Sequence, residues 1–239
     1  MLYNIRYGTG GNMTRFPLSG YMGRTGSHLE EVIHFIKETQ PDVAGLIEVD
    51  AGSYRSHRQN QAEVIAEALG HYHTYRSKYA DRHPVLSRLP VLSKQGNAFI
   101  TRDTITRETF HYVTKGVKRL VIELELEKVV FLLAHLALSY RTRQEQLRQL
   151  KSIVRNIEKP CIVAGDFNVF QGKHELELFR EAAGLEEFDD KHYPTYPSWN
   201  PRHQLDFVFH SPGVTMTSYR VPQVVYSDHL PIICDFEVS

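Results

Sequence analysis

The sequence predicts an α+β fold in which two mostly antiparallel sheets pack face to face with helices outside. Three observations predict it. Short, apolar, β-branched runs outnumber helical stretches along the 239 residues. The few amphipathic helical stretches are placed to cover a sheet system. No linker, low-complexity tract or repeat interrupts the chain, so residues 1–239 are expected to form one domain.

Met1 to Arg6 reads as a first strand, followed by a glycine-rich polar loop to Gly26. Ser27 and Glu30 have the spacing of a capping box. Leu29, Val32, Ile33 and Ile36 then recur at helical spacing up to Gln40-Pro41, where the residue before proline leaves the α region. Asp42 to Ile47 is a compact apolar strand tipped by Glu48. A polar loop over 50–60 leads to a short helix from Gln61 to Leu69, closed by Gly70. His71 to Arg76 reads as a strand and Ser77 to Leu89 as a basic surface loop.

From Val91 the pattern turns to closely spaced strands: Gly96–Thr101, Ile105–Val113, Arg119–Leu126 and Val129–His135. That spacing predicts an antiparallel meander, with one hairpin turn at Glu127-Lys128. The longest helix is expected over Arg141 to Glu158. Leu147, Leu150, Val154 and Ile157 form its apolar stripe, and Arg, Gln and Lys its polar face. The run Pro160 to Ala164 is a buried strand that stops at Gly165-Asp166-Phe167-Asn168. A short helix (His174–Ala183) and a loop rich in proline and aromatics (Asp189–His203) follow. Three strands complete the chain: Leu205–Phe209, Val214–Val221 and Pro231–Glu237.

Composition excludes some function classes. Formal net charge is zero, which argues against a protein that binds nucleic acid through a bulk basic surface. No apolar run approaches the roughly 18 residues of a membrane span. The expectation is a soluble, cytoplasmic protein; its abrupt start, almost at the first strand, leaves room for a removed N-terminal signal or anchor. Cys161 and Cys234 lie in apolar runs and are expected to be free thiols.

The chemistry gathers at strand ends. Asn4, Glu48, Asp166 with Asn168, and Asp228 with His229 terminate or interrupt apolar runs. His135 ends Val130–Ala134, and Asp206 sits inside Leu205–Phe209. In an extended backbone Asp166 and Asn168 would share a side and Phe167 would point opposite. Each residue alone has a bland reading: a strand-end Asp is most often a turn residue. A buried Asp206, however, needs a partner, and His229 or a basic side chain would supply one. Together the set is rich in oxygen ligands and lacks cysteine, which suits Mg²⁺ or Mn²⁺. Acid, amide and imidazole around a hard cation fit attack by water on phosphorus.

In this order the motifs are informative: Tyr-Asn-Ile at 3–5, Gln-Pro-Asp-Val through Glu at 40–48, Gly-Asn-Ala at 96–98, Ala-His-Leu at 134–136, Gly-Asp-Phe-Asn at 165–168, Leu-Asp-Phe-Val at 205–208 and Ser-Asp-His-Leu-Pro at 227–231. The chain resembles the endonuclease/exonuclease/phosphatase superfamily. The resemblance implies a four-layer αββα sandwich and a divalent-metal-dependent phosphoester hydrolase. It implies Glu48 as the main metal ligand, with Asn4 and Asp228 near the ion. Asp166 would activate water or protonate the leaving group, and Asn168 would position water or phosphate. Asp206 would hold His229 against the scissile phosphate, and His135 would be a second imidazole there.

Asn97, Arg119 and Trp199 are candidate substrate contacts, along with several loop cations that include Arg55, Arg58, Lys78, Arg82 and His83. The expected reaction is phosphodiester hydrolysis on nucleic acid or a phospholipid head group. The alternatives are a phosphomonoesterase acting on a sugar, inositol or nucleotide phosphate, and a non-catalytic binding module. The module reading predicts a disrupted motif, and none is disrupted. A glycosidase built on Glu48 and Asp166 would leave Asn168 and the Asp-His pair without roles. No stable protein partner is implied.

Overall fold

A computed structural model of the chain describes residues 1–10, 28–77, 91–116 and 118–239. Ser27 of the expected capping box, most of the glycine-rich loop, and Lys78, Arg82 and His83 lie outside the described residues. Strands β1 (Leu2–Asn4), β2 (Val43–Asp50), β3 (Tyr72–Ser77) and β4 (Gln95–Thr101) form one sheet in the order β1-β2-β4-β3. Strands β5 (Arg107–Tyr112), β6 (Leu120–Glu125), β7 (Val130–His135), β8 (Cys161–Asp166) and β9 (Asp206–His210) form the second, in sequence order. Neighbours are antiparallel except β1–β2 and β7–β8. The antiparallel pair β10 (Val214–Arg220) and β11 (Ile233–Val238) adjoins the first sheet through Ile232, whose backbone pairs with Leu2 at 2.8 and 2.9 Å.

Helices α1 (Leu29–Thr39) and α2 (Gln61–Leu69) cover the outer face of the first sheet. Helices α3 (Tyr140–Val154) and α4 (Glu177–Ala183) cover that of the second. Strand alternation sorts the apolar residues among three cores. On β7, Phe131 and Leu133 enter the core between the sheets, while Val130, Leu132 and Ala134 face α3. On the first sheet Leu2 points between the sheets and Tyr3 toward the helices. Three apolar interfaces separate four layers, so the fold is the αββα sandwich that the motifs imply. Gly45 lets the sheets approach: a Cβ there would lie 3.0 Å from Leu133 Cδ1 and 3.3 Å from Phe99 Cε1. Among the described residues no helix is long and apolar enough to cross a membrane.

Four features differ from the sequence expectation. The expected meander begins one strand later, because β4 pairs with β2 and β3 of the first sheet rather than with β5. All seven β4 residues are buried, so this strand needs neighbours on both edges. Strand β2 does not stop at Glu48 but continues to Asp50. The polar face of α3 is not all solvated, since Arg143 and Gln146 are buried. The His174–Ala183 helix begins as a 3₁₀ turn, Lys173–Leu176. Both cysteines are free, Cys161 buried and Cys234 half-buried.

Candidate active site

The parallel pairs place their C-terminal ends at one edge of the sandwich. Asn4 ends β1, His135 ends β7 and Asp166 ends β8. His135 and Asp166 are register partners across β7–β8, and Asp166 and Asp206 across β8–β9. The second sheet thus presents three polar residues side by side, and the first sheet reaches them through Asn4. The Asn4 Nδ2 donates to Asp166 Oδ2 at 3.2 Å, joining residues 162 positions apart. Gly165 permits the close strand approach here: a Cβ would lie 2.1 Å from the Ala134 carbonyl oxygen.

Glu48 reaches this edge by a β-bulge. The pairing of β2 with β4 shifts between Ile47 and Val49, so Glu48 is the extra residue, at φ 59°. Its N–H takes the Asn97 Oδ1 as acceptor at 3.3 Å. Without the bulge, Glu48 would follow the alternation that sends Leu46 into the helix-side core. Asn168 is likewise held at positive φ, 54°. Its N–H donates to Asp166 Oδ1 at 3.1 Å and its Nδ2 to the Leu136 carbonyl at 3.0 Å. The chain therefore turns after Asp166 rather than staying extended. Phe167 still points away, into an aromatic cluster with Phe207 and Phe209.

Asp166 Oδ2 is the centre of the cluster. Besides Asn4 it lies 3.3 Å from His135 Nε2 and 3.9 Å from His229 Nε2. His229 Nδ1 sits 2.7 Å from Asp206 Oδ2, which also accepts the Thr195 hydroxyl at 2.6 Å. Burial favours the neutral form of Asp166, but the histidines and Lys118 outweigh it and hold the carboxyl well below its usual range. Burial alone would depress His229. The carboxylates of Asp206, Asp166 and Asp228 instead lift it to about 10, so the ring is an imidazolium at neutral pH. Burial raises Asp206, although His229 opposes the shift.

The oxygen-rich residues fit a hard cation. Burial raises the Asp228 carboxyl, His229 and Arg6 oppose the shift, and the like charge of Glu48 adds to it. A divalent cation between Glu48 and Asp228 would relieve that repulsion, and the Asn4 carboxamide adds a neutral oxygen. Among the described residues the buried atoms Asn97 Nδ2 and Asp206 Oδ1 have no hydrogen-bond partner. Asp166, Asp206 and His229 also converge within 4.8 Å. In that trio Asp206 Oδ2 and His229 Nδ1 are engaged with each other, so it reads better as a proton-holding network than as a ligand set.

The structure thus draws Asn4, His135, Asp166, Asn168, Asp206 and His229 together by direct contacts. Glu48 and Asn97 meet beside them, and Asp228 precedes His229. Trp199 is 39% exposed and follows Ser198, whose N–H and hydroxyl donate to the carbonyls of Asp228 and Ser227. The Arg119 side chain makes no hydrogen bond or ion pair with the cluster among the described residues. Arg55 is not a substrate contact; it is buried against Asp50 at 3.0 Å.

Sequence reasoning missed four residues. Arg6 Nε pairs with Asp228 Oδ2 at 3.2 Å. Lys118 Nζ contacts His135 Nε2. Thr195 anchors Asp206, and Tyr196 packs on His229 with ring centroids 5.0 Å apart. Only Arg6 carried a signal, its place two residues after Asn4. The others sit in stretches that read as surface.

A search of proteins with curated function gave no match to the sequence. Solved structures do match. An endonuclease/exonuclease/phosphatase from Beutenbergia cavernae aligns with TM-score 0.74 at 19% identity, over 99% of this chain and 70% of its own. A mannosyl-6-phosphatase of Bacteroides thetaiotaomicron gives 0.71 at 16%, over 99% and 98%. The catalytic domain of human nocturnin, solved with a bound sulfate anion, gives 0.65 at 21%, over 90% and 88%. These likenesses establish the fold. The sequence profile of the Endonuclease/Exonuclease/phosphatase family matches residues 1–229. Since that match spans nearly the whole chain, the protein belongs to the endonuclease/exonuclease/phosphatase family, whose members are phosphoester hydrolases.

Proposed function

We propose that this chain hydrolyses a phosphodiester with the help of a divalent cation, Mg²⁺ or Mn²⁺. The observation that carries the reading is the Asp166 carboxylate, ringed by Asn4, His135 and His229, with Asp206 behind His229. Glu48, Asn4 and Asp228 would hold the ion. Bound there, it would supply Lewis-acid charge to the phosphate.

The protein's own residues supply the rest. Asp166 is ionised, so it accepts a hydrogen bond from the attacking water and takes its proton as the new P–O bond forms. Asn168, tied by its N–H to Asp166 and by one Nδ2–H to Leu136, has Oδ1 and its second Nδ2–H to orient the water. His229 spends Nδ1 on Asp206 and offers Nε2–H to a phosphate oxygen on which charge develops. Asp206 positions that ring without touching substrate. His135 adds a second imidazole on the far side of Asp166.

Support for a diester comes from the walls. Tyr196 packs on His229 and Phe170 packs on Tyr196 at 6.0 Å, while exposed Trp199 stands beside the Asp228 loop. Aromatic side chains therefore flank His229, where the organic groups of a diester could pack. A phosphomonoester is the second reading, favoured by the near full-length match to a mannosyl-6-phosphatase.

The test is a panel of nucleic acid, phospholipid, bis-nitrophenyl phosphate and sugar phosphates, with Mg²⁺ or Mn²⁺, using Asp166→Asn as the blank. Diester turnover that EDTA abolishes and Asp166→Asn lacks is the expected result. Release of inorganic phosphate from monoesters alone would select the second reading. Full turnover by Asp166→Asn would sink both.

A further inference from the structure

We propose that Lys118 contacts the substrate, its ammonium receiving a non-bridging oxygen of the scissile phosphate beside His135. The inference rests on the phosphoester reading and adds to that site a residue that no sequence motif marks. Four observations carry it.

Lys118 Nζ is held against His135 Nε2, the nitrogen that itself faces Asp166 Oδ2 at 3.3 Å. Among the described residues Lys118 has no carboxylate partner. A half-buried cation whose close neighbour is an imidazole nitrogen can still bind an anion directly, and a phosphate would supply one.

Lys118 also keeps donors to spare. An ammonium carries three N–H bonds, and the contact with His135 Nε2 uses one. The others suit the oxygen of a second anion at this edge, next to the nitrogens of Asn4 and His229 that approach Asp166 Oδ2 at 3.2 and 3.9 Å.

Lys118 is also fixed in place. Gln146, fully buried on α3, donates its Nε2 to the carbonyls of Lys115 at 2.8 Å and Lys118 at 2.7 Å. Its Oε1 accepts the Ala137 N–H at 2.8 Å. One amide thus clamps the turn before β6 to the loop that leaves β7 just after His135. A surface lysine needs no such anchor; a preorganised phosphate contact does.

The experiment compares wild type, Lys118→Met, Lys118→Gln and Lys118→Arg in metal-supplemented hydrolysis and in inhibition by inorganic phosphate. Lys118→Met and Lys118→Gln should each lose about 10²-fold in kcat/KM, the usual cost of removing one preorganised donor. Phosphate inhibition should weaken about tenfold, with a Tm within about 2 °C of wild type, since removing the ammonium strands no carboxylate partner. Lys118→Arg should recover about tenfold of the loss, because charge returns without the same point geometry. Wild-type kcat/KM and phosphate inhibition in both neutral variants, with Asp166→Asn inactive, would overturn this inference alone. Full turnover by Asp166→Asn would overturn the phosphoester reading and this inference with it.

Discussion

Two buried carboxylates, Asp50 and Asp166, end neighbouring strand systems and both meet cations, yet only one looks built to react. Asp50 is saturated. Its Oδ1 accepts the Ser53 N–H and the Ser56 hydroxyl, and its Oδ2 accepts the Ser53 hydroxyl and Arg55 Nη2, all between 2.6 and 3.1 Å. Every one of these donors lies within six residues, so the cluster is a local knot that closes the turn after β2. Asp166 instead gathers partners from β1, β7 and the loop before β11, up to 162 residues away. Its surroundings keep unused capacity: among the described residues Asp206 Oδ1 and Asn97 Nδ2 have no hydrogen-bond partner. A buried charge is therefore a poor marker of function by itself. A buried charge assembled over long range, among neighbours that keep unpaired polar atoms, is a better one.

The largest expected effect breaks this comparison if it fails. Asp50→Ala strands the buried Arg55 and should cost about 3–5 kcal/mol of stability, measured by urea unfolding. The folded fraction should keep its turnover within about tenfold. Asp166→Asn should do the opposite, cutting kcat by about 10³-fold or more while far-UV circular dichroism shows the fold intact. Loss of turnover in fully folded Asp50→Ala would mean that the closed knot also serves the chemistry.

The same contrast explains what could be read from the sequence. Asn4, Glu48, His135, Asp166, Asp206 and His229 were legible because polar residues at the ends of apolar runs break a periodicity. Their meeting at one edge follows from the parallel pairs β1–β2 and β7–β8, which no periodicity reveals. The bulge at Glu48 was invisible, since inserting one residue in a strand leaves the run of apolar letters unchanged. Arg143 and Gln146 read as the wet face of α3. Arg143 is buried by Glu175 at 3.0 Å, and Gln146 by loop carbonyls. Both partners come from outside the helix, so helical spacing could not show them. Lys118 and Thr195 were missed for the same reason: a lysine before a strand and a threonine in a loop are ordinary surface letters.

A second, smaller effect sharpens the role of the open cluster through pH. His229 is raised from 6.5 to about 10 in the folded state. Its contribution to stability is therefore complete below pH 6.5 and is lost as pH rises through about 10. If the imidazolium acts on the phosphate, activity shares that alkaline limb. Asp206→Asn removes a partner 2.7 Å from the ring and should move the limb down by about one to three units. Asp50→Asn, outside the cluster, should leave the limb in place. An unmoved limb in Asp206→Asn would show that His229 does not set it.

The smallest effect concerns backbone strain, which both regions contain. Glu48 adopts φ 59° at the bulge, and His57 adopts φ 53° at the end of the turn that holds Arg55. Glycine tolerates this region without the Cβ clash but loses more freedom on folding, so the two terms largely cancel. Glu48→Gly and His57→Gly should each change stability by no more than about 1 kcal/mol in metal-free buffer. Added Mn²⁺ then separates them. A ligand that binds only the folded state raises Tm; His57→Gly should keep that rise and Glu48→Gly should lose it. The carboxylate at the bulge would then be what the strain is for, since a glycine there satisfies the backbone and leaves the ion unheld. An equal rise in both variants would place the ion elsewhere, with the Asp166, Asp206 and His229 group as the next site to probe.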